Sequence, residues 1–83
     1  MSKVFIVVCE DRHADDRISV HLSRASADRR VDAFMAEYQE AAAENREDGY
    51  QWVEEPVEGW IRNVVTDSDD GPRARIESAE LEP

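Results

Sequence analysis

The chain has 83 residues, with 20 acidic against 10 basic side chains and a formal charge of −10. That length makes one domain, residues 1–83, whose core withdraws only about 60–65% of the unfolded surface from water and leaves little volume for an enclosed active site. The charge argues against direct binding to DNA, RNA or an anionic membrane, because phosphate attracts the opposite sign.

Lys3–Cys9 (KVFIVVC) is β-branched and apolar on both alternating faces, which predicts a central strand covered on both sides or nearly so. The six-residue apolar run Val4–Cys9 is too short for a signal peptide or a membrane span, so the expected location is cytoplasmic. Glu10–Arg17 (EDRHADDR) is polar throughout and reads as a loop. Ile18, Val20 and Leu22 then alternate with Ser19, His21 and Ser23, the period-2 signature of a half-buried strand that pairs with the first as a hairpin.

Ser23 or Ser26 can cap a helix predicted over about 26–46. Ala27, Val31, Phe34, Met35, Tyr38, Ala41 and Ala42 recur at three- and four-residue spacing and form one apolar stripe. Glu40, Glu44 and Glu47 lie towards the other side, with Arg29 among them. Asp48-Gly49 closes the helix.

Tyr50–Glu55 (YQWVEE) reads as a short strand that Pro56 stops or confines to an edge. Trp60–Thr66 (WIRNVVT) is the next strand, and Asp67–Pro72 (DSDDGP) is a turn. Arg73–Ala79 (RARIESA) alternates charged with smaller residues, as an exposed returning strand would, and residues 79–83 read as a frayed tail. The order is β-β-α-β-β with a further short strand at 50–55. The fold class is therefore α+β: a mostly antiparallel sheet of four or five strands with one amphipathic helix on a face.

Charge is unevenly placed along this order. Residues 1–36 hold six acids and six bases, so residues 37–83 carry the whole excess. The stretch 37–58 alone has eight acids against one base, Arg46. Glu37, Glu40, Glu44, Glu47, Asp48, Glu54, Glu55 and Glu58 are accordingly the candidate contacts to a basic protein surface, including one that normally holds nucleic acid. Trp52 and Trp60 flank the acidic run 54–58, and an aromatic anchor rimmed by charge is what an interface hot spot looks like, so Trp52 joins the set. The plainer readings are that the charge serves solubility and that both tryptophans fill a small core.

Signals for chemistry are weaker. Cys9 is the single cysteine, so no disulfide can form within the chain. The segment from Cys9 through His13, Asp15 and Asp16 is rich in ligand types, but paired ligands at zinc spacing are missing. A calcium-loop register from Thr66 to Glu77 fits at Asp70, Gly71 and Glu77 but has Thr at its first position and Pro72 after the glycine. Cys9 with His13 or His21 is the candidate nucleophile–base pair, weakened because a desolvated strand thiol ionises poorly. Three isolated glycines, at 49, 59 and 71, make no phosphate loop. The expectation is a protein that is not an enzyme, with no catalytic residues, no metal and no cofactor.

Nine arginines to one lysine, with ten alanines, point to a GC-rich coding sequence. The opening Lys3–Val8, the segment Ser19–Arg24 (SVHLSR) and a helix with Val31, Phe34 and Tyr38 resemble a group of small phage and prophage proteins over about residues 3–60, although His21 stands where that group usually has glycine. In size and charge the chain also resembles acidic phage inhibitors of bacterial defence of the anti-CRISPR type, some of which mimic DNA. That likeness implies a viral inhibitor acting in a host cytoplasm by protein binding. Two other readings stand beside it: an accessory domain that docks on an assembly or forms a homodimer through an exposed edge at 50–55 or 73–79, and a small metal protein or enzyme using His13, Asp15 and Asp16.

Overall fold

A computed structural model describes residues 2–11, 14–44, 51–66 and 71–81. Its elements are β1 (Ser2–Asp11), β2 (Ala14–His21), α1 (Arg24–Glu44), β3 (Trp52–Glu54), β4 (Arg62–Thr66) and β5 (Arg73–Leu81). The strands form one five-stranded sheet in the order β2-β1-β5-β4-β3, antiparallel at every pairing, and the helix lies on one face of it. This is the α+β architecture expected, including the short strand within 50–55.

β1 and β5 make the centre, running antiparallel from Ser2↔Leu81 to Glu10↔Arg73. Side chains alternate across a strand, so Phe5, Val7 and Cys9 point towards the helix, and Val4, Ile6, Val8 and Glu10 point away from it. The core follows from that parity. Val7 and Cys9 of β1, Ala74 and Ile76 of β5 and Val64 of β4 meet Ala27, Val31 and Phe34 of α1, and all are buried. Each large side chain removed from water here contributes about 1.5–3 kcal/mol before the cost of ordering the chain.

The helix starts two residues earlier than its periodicity indicates. Ser23 is the cap: its Oγ accepts the backbone N–H of Ser26 at 3.1 Å, satisfying one of the otherwise orphaned donors of the first turn. Ser26 itself turns its hydroxyl to His21 Nδ1, 2.8 Å away. In the β3–β4 connection the Trp60 N–H donates to the Val57 carbonyl at 3.1 Å, and Gly59 supplies the positive φ of 91° that this turn needs.

Four expectations need correction. The polar stretch 10–17 is strand at both ends, because its charges have partners across the sheet. Glu10 meets Arg73 and Arg75 on β5, and Arg17 meets Glu37 on α1. The alternation in 18–22 is real but faces the other way: Ser19 and His21 lie on the helix side, while Ile18, Val20 and Leu22 are 66%, 63% and 80% exposed. Strand 73–79 is no edge, since β5 lies between β1 and β4; the edges are β2 and β3. Finally, residues 79–81 are paired with β1 rather than frayed.

Candidate functional site

Two surfaces on opposite sides of the molecule carry the features of interest. On the helix side, 100° per residue places Glu40 nearly opposite the buried stripe of Ala27, Val31 and Phe34, with Glu44 one turn on. Both are exposed and carry no ion pair among the described residues. Glu37 lies round the same helix towards β2, where its carboxylate takes Arg17 at 3.1 Å. That carboxylate is already partnered within the fold. Arg29 is exposed on the same outer surface, so the helix is acidic without being uniformly so.

The run 54–58 comes to the other flank. Arg62 of β4, its side chain 17% exposed, reaches Glu54 at 2.6 Å, Asp28 at 3.2 Å and Asp32 at 3.3 Å. Burial works against its charge, but the hydrogen bond that Arg62 donates to Glu54 and the nearby Asp32 and Glu54 carboxylates outweigh it and hold the guanidinium above its usual pKa. Three carboxylates on one arginine tie β3 and β4 to the first half of α1. Glu55 and Glu58 follow in the loop, exposed; the Glu55 backbone is clamped to Asn63 by an N–H···O bond of 2.9 Å and an amide contact of 3.0 Å. From Asp32 to Glu44 is twelve helical residues, so the acidic groups extend over about 18 Å along the helix rather than gathering at one point. Glu47 and Asp48 lie outside the described residues.

Trp52 is half-buried on the helix side, with its ring edge-on to Phe34 at 6.1 Å between centroids, and so belongs to the margin of the core. Trp60 is also half-buried, on the opposite face, with the Arg75 guanidinium over its ring at 4.5 Å. The plainer reading of the tryptophans as packing groups therefore fits their surroundings better than that of free anchors.

The chemical candidates separate. Cys9 is 1% exposed, and burial raises its thiol pKa more than the charges of Arg30 and Arg17 lower it. His21 lies opposite Phe5 on the β1–β2 ladder, four residues from Cys9 along the strand, a separation of about 13 Å. The two cannot form a nucleophile–base pair. His13 lies outside the described residues, and Asp16 is exposed on β2. Among the described residues no group of three or more His, Cys, Asp or Glu side chains is placed to hold a metal ion. Sequence reasoning missed the chain Ser19 Oγ–His21 Nε2–Nδ1–Ser26 Oγ, with 2.8 Å at each link. Its signal was available in the i,i+2 spacing of Ser19 and His21, which puts both on one strand face. Hydroxyls at both ring nitrogens make it a polar clamp between β2 and the first turn of α1.

Among the described residues the other side of the sheet carries no helix and is covered only in part: Val4 of β1 is buried there, and Trp60 packs against Arg75. Ile18 and Val20 of β2, Ile6 and Val8 of β1, and Ala79 and Leu81 of β5 share this face with Val65 of β4 and Val53 of β3. Its described charges are Glu10, Asp16, Arg73, Arg75 and Glu77, which leave a formal −1 on this face of a chain that carries −10. Among the described residues no helix is long and apolar enough to cross a membrane.

No family model, curated protein or solved structure matches the chain.

Proposed function

We propose that the chain is a non-catalytic binding module whose acidic helix surface meets a basic partner. The observation that carries this reading is the exposure of Glu40 and Glu44 on the outer side of α1; Glu55 and Glu58 are also exposed, in the β3–β4 loop on the other flank. Among the described residues these carboxylates carry no ion pair, unlike Glu37 and Glu54. Glu40 and Glu44 lie one helical turn apart, about 6 Å along α1, and long-range attraction between such carboxylates and a basic surface speeds encounter. The partner class of best fit is a nucleic-acid-handling protein of a bacterial host, bound as an inhibitor binds. Burial of Cys9 and its distance from His21 favour binding over catalysis.

The test is capture from a GC-rich bacterial lysate on tagged protein, washed at low and then high salt. A basic nucleic-acid-handling protein that is retained at low salt, released at high salt and lost to Glu40→Lys/Glu44→Lys is the expected result. Retention of the same protein by that double variant would sink the helix-surface reading.

A further inference from the structure

We propose that the helix-free sheet face is the seat of a second copy of this chain, forming a two-fold, face-to-face sheet sandwich with the helices outside. Ile18 and Val20 are large apolar side chains 66% and 63% exposed, while their polar neighbours Ser19 and His21 are turned inward. A one-residue shift would exchange the two sets, so the register actively presents the apolar set outward.

The face is complementary to itself. The ladder aligns Val20, Ile6 and Glu77 in one row across β2, β1 and β5, and aligns Ile18, Val8 and Arg75 in the next row on the same face. Each row is two apolar side chains followed by a charge, and the two charges have opposite sign. A two-fold axis lying across the strands between these rows sets each row over the other row of the second copy. Val20 then covers Ile18, Ile6 covers Val8, and Glu77 comes opposite Arg75, twice over by symmetry. That guanidinium also takes Glu10 at 2.6 Å and stacks on Trp60. Sheets stacked this way sit about 10 Å apart with strands within about 30° of alignment, which the row-on-row contact tolerates.

Electrostatics selects the same face. Two chains of −10 repel, and the helix-free side, near neutral, is where they approach at least cost while α1 and its carboxylates point outward. The area is adequate for a modest dimer. Strands about 4.8 Å apart with a rise of about 3.3 Å per residue give roughly 500 Å² per copy, or about 1,000 Å² in all, near the lower bound for a specific interface. Such a dimer uses a surface separate from the acidic helix, and its population rises with protein concentration.

The experiment is molar mass by light scattering, from low to high micromolar protein, on the wild type and on Ile18→Glu, with circular dichroism to confirm folding. The expected result is a rise from one towards two protomers in the wild type and one protomer throughout for the variant. A mass of one protomer at every wild-type concentration overturns the proposal and leaves the face to a different protein. Two protomers that survive Ile18→Glu overturn it too, because the interface would then lie elsewhere. The row pairing has its own check. Glu77→Arg and Arg75→Glu each place like charges opposite one another and should be monomeric alone, whereas an equimolar mixture restores both pairs and should dimerise. Because Arg75 also pairs with Glu10, a failure of Arg75→Glu to fold leaves Ile18→Glu as the deciding variant.

Discussion

Arg17 on the edge strand and Glu37 on the helix face each other at 3.1 Å, with both arginine terminal nitrogens within 3.5 Å of the carboxylate. This pair spans 20 residues of sequence and closes the β2 side of the helix–sheet seam. It also removes from the acidic surface a carboxylate that composition alone would assign there. Both side chains are about half exposed, so water screens the attraction. Glu37→Gln should lower unfolding stability in urea by no more than about 0.2–1 kcal/mol, with the difference shrinking as salt is added. A larger, salt-independent loss would mean that Glu37 does more for the seam than pair with Arg17.

Arg62 is a different case, because three carboxylates depend on it. Removing its charge leaves Asp28, Asp32 and Glu54 repelling one another beside the first half of α1. Arg62→Gln should cost about 1–2 kcal/mol, between the exposed-pair and buried-pair limits, and the cost should be greatest at low salt. Arg62→Lys should recover only part, since an ammonium lacks the planar fork that reaches several acceptors at once. Urea midpoints of the three proteins at low and high salt check this; equal midpoints at low salt for wild type and Arg62→Gln would refute it.

Elements whose signal is local were legible in the sequence. The apolar run of β1 and the helical spacing of Val31, Phe34 and Tyr38 each act within a few residues. What escaped depends on partners distant in sequence. Glu10, Asp11 and Arg17 look like loop residues until Arg73 and Arg75, Tyr38 and Glu37 are placed opposite them. The inward face of β2 is decided by Ser19 and His21 meeting Ser26, a contact that hydrophobic periodicity cannot register. On the acidic surface, Glu40 and Glu44 were placed correctly by helix geometry, whereas the consumption of Glu37 and Glu54 by arginines needed the sheet.

Cys9 offers a probe of opening. Its thiol sits 1% exposed between β1 and the helix, and burial raises its pKa above the ordinary value. A thiol that ionises at higher pH folded than unfolded adds stability that is fully present below the unfolded pKa, about 8.5, and is lost as pH rises through the folded value. Stability should therefore decline in alkali beyond that point, and Cys9→Ala should flatten that part of the profile. Alkylation in native buffer should be slow and accelerate with urea in step with unfolding. Modification at the rate of a free thiol without denaturant would contradict the buried placement.

Phe34 is where the helix meets both ends of the core. Its ring is 1% exposed, 4.9 Å from Tyr38 and edge-on to Trp52 at 6.1 Å, so one side chain joins α1 to β3 at the sheet's far edge. Phe34→Ala deletes most of that contact and leaves a cavity, at a cost of about 3–5 kcal/mol. A domain this small has a total stability of only about 5 kcal/mol, so the variant should be largely unfolded or on the edge of unfolding at room temperature. Phe34→Leu keeps most of the volume and should cost less, about 1–2 kcal/mol, mainly the aromatic contacts and a small void. Urea melts followed by tryptophan emission separate the cases, because Trp52 reports on this contact directly. Should Phe34→Ala melt with the wild-type midpoint, the helix would not be seated on this face of the sheet, and the opposite, apolar face would become the candidate for its docking.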